Sequence, residues 1–275
     1  MQMELHTPGD GFYSGTRFDY GGVFRSLLYE DTEFCGPWFE RYDPRMHDAV
    51  LGPAEEFSLM VLPGPQGQER WLKPGVGLLR PDGFPYDRFK LYEIVDPGVW
   101  TVGKGGAALR FEHTLDACYH YVKEVVETGA NSFEIRHSLH AFTDLDGDVY
   151  NHNFFTMGKV ETGPSRQIDF PFRPEGSWRS AYDSVAFTQG GIRFSRKLRP
   201  GESVYSGDIH AAGQQGMPYS MTLREGRRSV HMRGSIPAFK TVFWANHRIA
   251  CLEPYIRLAV PAGQSFCWTL AYTLL

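Results

Sequence analysis

The residues with most chemistry to offer sit in two short segments far apart in the chain. Tyr150-Asn151-His152-Asn153-Phe154-Phe155 frames an imidazole with aromatic rings, and Cys251-Leu252-Glu253-Pro254-Tyr255 places a carboxylate among apolar neighbours. In an extended strand His152 shares a face with Tyr150 and Phe154, while Asn151 and Asn153 point the other way. Histidine can act as a general acid near neutral pH. A lone histidine on an apolar face is more often a core residue. Here the aromatic framing, of the kind that holds small polar ligands such as sugars, weighs toward function. Glu253 shares a face with Ile249 and Cys251, and an inward carboxylate is costly unless it is paired or functional. Pro254 biases Glu253 to extended backbone, so it is expected at a strand end above a cleft. It would serve there as a general base, or form an ion pair with Arg248 or Arg257.

Two further segments carry basic groups. Arg17, in Tyr13-Ser14-Gly15-Thr16-Arg17-Phe18-Asp19, can present a planar fork of donors to a ligand oxygen, or pair with Asp19 or another surface acid. Lys73-Pro74-Gly75-Val76-Gly77-Leu78-Leu79-Arg80 reads as a glycine-bent strand, and with no helix after it this is no phosphate loop. Tyr86, Asp87, Arg88 and Lys90 follow and could line a cleft beside it. His113, His120, His137 and His140 lie on strands without the same-face clustering with a carboxylate that a metal needs, so no metal or other cofactor is expected.

These groups must be positioned by strands. In residues 132–141, Phe133, Ile135, His137 and Leu139 alternate with Glu134, Arg136, Ser138 and His140, the period of a half-buried strand. Leu109, Phe111, His113 and Leu115 repeat the pattern. Residues 119–126 form the next strand, closed by the turn Thr128-Gly129-Ala130-Asn131. Residues 144–148 read as a turn and 149–157 as a strand. The C-terminal third continues with strands at 191–198, 203–209, 219–223, 229–232, 241–244, 256–260 and 265–275. No helical stripe exceeds two turns. Gly 30, Pro 18 and 15% aromatic residues in 275 suit an all-β protein, a large antiparallel β-sandwich, expected as a single domain over 1–275. Residues 20–70, with five prolines among aromatics and charges, are expected as strands with long loops inserted into that domain. Within them His47-Asp48 and Glu55-Glu56 read as solvated loop charges that could enter the cleft.

A net charge of −4 argues against nucleic acid as the main partner. No basic segment followed by an apolar stretch opens the chain, and no apolar run approaches the roughly 20 residues of a membrane helix. Cys35, Cys118, Cys251 and Cys267 are scattered, so reduced thiols and a cytoplasmic location are expected, with no membrane partner.

Taken in order, Arg17, the Asn151-His152 segment with its aromatics, Leu252-Glu253-Pro254 and the closing Pro261-Ala262-Gly263-Gln264-Ser265 resemble the aldose 1-epimerase family of the galactose mutarotase-like superfamily. The resemblance spans nearly the whole chain as sparse motifs. It implies the galactose mutarotase-like sandwich and a small-molecule sugar or sugar derivative as the partner. It also implies His152 as acid and Glu253 as base on opposite sides of one ring, with the His protonated, and Arg17 as a substrate contact. Arg80, Tyr86, Asn151 and Asp208 are further substrate-binding candidates, Asp208 standing in for the family's aspartate. The family's His-Gly-Phe-x-Arg motif is here Val76-Gly77-Leu78-Leu79-Arg80, without the histidine. Basic residues around these motifs, Arg17, Arg80, Arg88 and Lys90, suggest an acidic sugar. A carbohydrate-binding module without catalysis is the alternative on the same fold.

Overall fold

The alternating segments become strands of two antiparallel sheets that face each other across an apolar core. The computed structural model describes residues 1–275 apart from Phe84, Lys159, Val160 and Gln215. Among them the regular elements are strands and one short 3₁₀ turn at Pro65–Gly67. The larger sheet has ten strands, in the order Val185–Thr188, Gly191–Phe194, Arg166–Asp169, Ser220–Glu225, Arg228–Gly234, Ser265–Leu274, Ser132–Ala141, Tyr119–Gly129, Ala108–Leu115 and Val99–Gly105. The second sheet has six, in the order Trp178–Ser180, Ser203–Ser206, Lys240–Asn246, Ala250–Val260, Leu145–Phe154 and Gly52–Phe57. Rings from both inner faces close the core: Phe57 lies edge-on to Tyr121 at 5.4 Å, and Phe155 meets Tyr272 at 6.0 Å. The fold is therefore the expected all-β sandwich of large antiparallel sheets.

Three local expectations are corrected. Residues 145–148 belong to the Leu145–Phe154 strand, not to a turn. The strand is held there by pairing with Arg257, Leu258, Ala259 and Val260, and by the Arg257–Asp146 ion pair at 2.7 Å. At Gly147 a Cβ would lie 2.5 Å from Ser58 Oγ, so a larger residue there would have to displace that side chain. Second, Glu253 sits inside the Ala250–Val260 strand, not at its end. Pro254 has no N–H for the ladder. On that side pairing stops at Tyr150↔Tyr255 and returns at the Phe155↔Ala250 bridge. The Asn153 amide fills the gap, donating to Leu252 O at 2.8 Å and Asn151 O at 3.1 Å.

Third, the 20–70 segment supplies the expected strands, Phe24–Tyr29, Thr32–Glu33, Gly52–Phe57 and Met60–Pro63, but Glu55 and Glu56 lie in one of them and not in a loop. Gly52–Phe57 is an edge strand of the six-stranded sheet and is buried throughout. Glu55 and Glu56 are thus not solvated loop charges. Strand alternation sends them to opposite faces. Glu55 enters the space between the sheets, where it binds Lys123 Nζ, His137 Nε2 at 3.0 Å and Asn151 Nδ2 at 2.9 Å. Burial works to raise its pKa, but Lys123 and His137 outweigh that and hold it ionised.

Candidate functional site

The outer face of the six-stranded sheet forms the floor of a cleft of about 810 Å³. Strand register builds its centre. Tyr150↔Tyr255 and Phe155↔Ala250 lie on either side of the interrupted ladder, and continuing the register between them sets His152 level with Glu253. The two side chains touch, with His152 Nε2 at 3.1 Å from Glu253 Oε1, and both are buried. Phe154 stacks on the imidazole at 3.9 Å, while Phe18 and Trp244 approach edge-on at 6.0 and 5.8 Å. The ring therefore has little freedom to turn.

His152 Nδ1 is buried and has no hydrogen-bond partner among the described residues. An N–H there would be orphaned, so the contacts favour the tautomer with its proton on Nε2, donated to Glu253. Burial lowers the His152 pKa, and Glu253 pulls it only partly back. Two expectations change here. The acid and base do not stand across a ring-sized gap, and the imidazole rests neutral near pH 7.

A second cluster stands beside the pair. Arg17 comes from an irregular segment tied to the edge strand by Asp19 N donating to Glu55 O at 2.9 Å. Its Nε donates to Glu56 Oε2 at 2.5 Å and its Nη2 to the Tyr150 hydroxyl at 2.9 Å. Arg88 Nη1 donates to the same hydroxyl at 3.1 Å, and Arg88 Nε and Lys73 Nζ lie 3.5 and 3.4 Å from Glu56 Oε1. Burial would raise the Glu56 pKa, but Arg17, Lys73 and Arg88 hold it well below the usual carboxylate range. Burial also lowers Lys73 to about 8 despite Glu56. One carboxylate thus gathers three cations, two of which, Arg17 and Arg88, face the cleft.

The candidates from the sequence divide. His152, Glu253, Arg17 and Asp208 all line the cleft. Asp208 lies 3.4 Å from Lys240. Asn151 points to the opposite face and holds Glu55, so it is no cleft residue. Arg80 is an exposed partner of Glu93 at 2.6 Å, because it follows the buried Leu79 and turns outward across a hairpin. Tyr86 stacks on Tyr92 at 5.2 Å and meets Trp71 at 6.0 Å, behind the Glu56 cluster. Lys90 is taken by Asp82 at the surface. His47 and Asp48 do line the cleft, their loop held by Tyr13 donating to His47 O at 3.1 Å. Arg179 and Lys240 carry no signal in the sequence, and Glu56 reads there as a solvated loop charge.

No family model matches the sequence, and no curated protein matches it. Solved structures do match in shape. A proposed aldose 1-epimerase of Escherichia coli K12 superposes with a TM-score of 0.59 at 15% identity, covering 100% of this chain and 99% of that one. The chain has the galactose mutarotase-like fold. A galactose mutarotase related enzyme of Lactobacillus acidophilus gives 0.55 at 11% identity, with 100% and 97% covered. A galactose mutarotase-like protein of Clostridium acetobutylicum gives 0.53 at 12%, with 95% and 94% covered. At these identities the likeness is one of mutarotase-like fold. The strand placement of His152 and Glu253 is read from this chain's own register.

Proposed function

We propose that the protein interconverts the anomers of a sugar through Glu253 and His152. The observation that carries this reading is their 3.1 Å contact on the cleft floor. The anomeric hydroxyl and the ring oxygen are bonded to the same carbon, so an acid and a base side by side can reach both. Glu253 takes the hydroxyl proton as the carbonyl forms and the bond from that carbon to the ring oxygen breaks. The imidazolium of His152 gives its Nε2 proton to that oxygen and is left as the neutral ring protonated on Nδ1. Rotation and reclosure return each proton and leave the other anomer. A positioned acid or base of this kind typically contributes roughly 10²–10⁴-fold. Proton delivery needs the imidazolium, and the lowered His152 pKa makes that form scarce at neutral pH.

Arg17 and Arg88, gathered by Glu56, support an acidic sugar such as a uronate or a sugar phosphate. The neutral His152 also favours a second reading, a carbohydrate-binding module without turnover. Exchange spectroscopy between anomers of aldoses, uronates and sugar phosphates separates the two. Accelerated exchange is expected for the acidic members. Ligand-induced shifts with no acceleration for any sugar would leave the binding module.

A further inference from the structure

The cleft is longer than one sugar ring. Its floor runs across the sheet from the Ala250–Val260 strand through Lys240–Asn246 and Ser203–Ser206 to Trp178–Ser180. Three inter-strand steps of about 4.8 Å span roughly 14 Å. A single pyranose ring with its hydroxyl oxygens is shorter than that floor. The volume agrees: about 810 Å³ lies in the upper part of the roughly 300–1,000 Å³ range of small-molecule sites.

Beyond Glu253 the cleft carries further charge, on Lys240 of the neighbouring strand, on Asp208 and on Arg179 of the Trp178–Ser180 edge strand. Arg179 lies 5.5 Å from the centroid of Tyr205 and makes no ion pair among the described residues. Lys240 sits 4.7 Å over Tyr255 and 3.4 Å from Asp208. Arg179 and Lys240 face the cleft with Asp208 and Asp148 beside the half-buried Tyr205, and no ion pair among the described residues takes the Arg179 donor fork. A fork of that shape fits a carboxylate in two parallel hydrogen bonds, and Tyr205 offers a surface for the apolar face of a sugar.

The geometry points to a second subsite at Tyr205, Arg179 and the Asp208–Lys240 pair, which takes a uronate ring joined to the reacting sugar. The ligand is then the reducing end of an acidic oligosaccharide. The inference rests on the anomer-exchange reading only for the reacting end.

The test compares wild type with Arg179→Ala on glucose, cellobiose and cellobiouronic acid, by anomer exchange and by NMR titration. Wild type is expected to prefer the acidic disaccharide over glucose. Arg179→Ala is expected to lower that preference by about tenfold or more, the loss of a charge-assisted contact at a partly solvated site. Equal affinity of wild type for all three, or an equal loss for all three in the variant, would overturn the subsite. Binding of the acidic disaccharide that depends on Arg179, with no anomer exchange for any sugar, would uphold the subsite and reject the mutarotase reading.

Discussion

Replacing Glu56 by Gln should destabilise the fold far more than a typical point substitution. The change keeps shape and removes the charge facing Arg17 at 2.5 Å, Lys73 at 3.4 Å and Arg88 at 3.5 Å. At an effective dielectric of about 20, a unit-charge pair at the Lys73 distance attracts by about 5 kcal/mol before desolvation. Arg17 and Lys73 are as buried as Glu56, so the variant leaves buried cations without a counter-charge. Breaking buried pairs in this way costs about 3–5 kcal/mol. Arg88, over a third exposed, adds little. For a chain of this size the loss corresponds to a fall in Tm of roughly 6–20 °C. Lys73 provides a second readout. With its pKa near 8 beside Glu56, and lower once that carboxylate is gone, it sheds its proton as pH rises. The penalty should therefore shrink between pH 6.5 and pH 9. Urea denaturation of both proteins at the two pH values measures it. A loss below about 1 kcal/mol at pH 6.5, or one that does not change with pH, would refute the picture of one carboxylate restraining three cations.

Other outcomes follow from the same contacts. The acid role of His152 needs the imidazolium, and burial lowers its pKa below the ordinary value of 6.5. The kcat/KM for anomer exchange should therefore fall about tenfold per pH unit above a midpoint under 6.5, and a flat profile to pH 8 would remove His152 as proton donor. Asn153→Leu should cost about 2–4 kcal/mol in urea denaturation, because it strands Leu252 O and the Tyr272 hydroxyl. A loss under 1 kcal/mol would show that the backbone gap at Pro254 needs no amide.

Seven of the ten strands of the larger sheet were legible from their composition and alternation, whereas Val99–Gly105, almost wholly exposed, and the short Arg166–Asp169 and Val185–Thr188 were not. Ser132–Ala141 is found where its alternation puts it. Gly52–Phe57 was illegible for a different reason. Both its faces are buried, so Glu55-Glu56 breaks no alternation and looks like a charged loop. The partners that make those charges tolerable, Arg17, Lys73, Arg88 and Lys123, are remote in sequence and converge only through sheet pairing. His152 and Glu253 stood out because each is an ionisable group in an otherwise apolar run. Their direct contact did not, since it depends on register across a ladder interrupted by Pro254. Arg80 misled because a basic residue after a glycine-bent strand looks the same whether it turns to a cleft or to Glu93. Arg179 and Lys240 gave no signal, as each is an ordinary charge on a short strand.

The central claim is that Glu253 is the base of a ring-opening pair. The measurement that tests it most directly is the anomer exchange rate of wild type and Glu253→Gln on the sugar that binds best, with binding followed in the same samples. Glu253→Gln keeps the size of the side chain and its contact with His152 Nε2 but cannot accept a proton. Ligand-induced shifts should persist while exchange falls by about 10²-fold or more. Exchange at the wild-type rate in Glu253→Gln would contradict it.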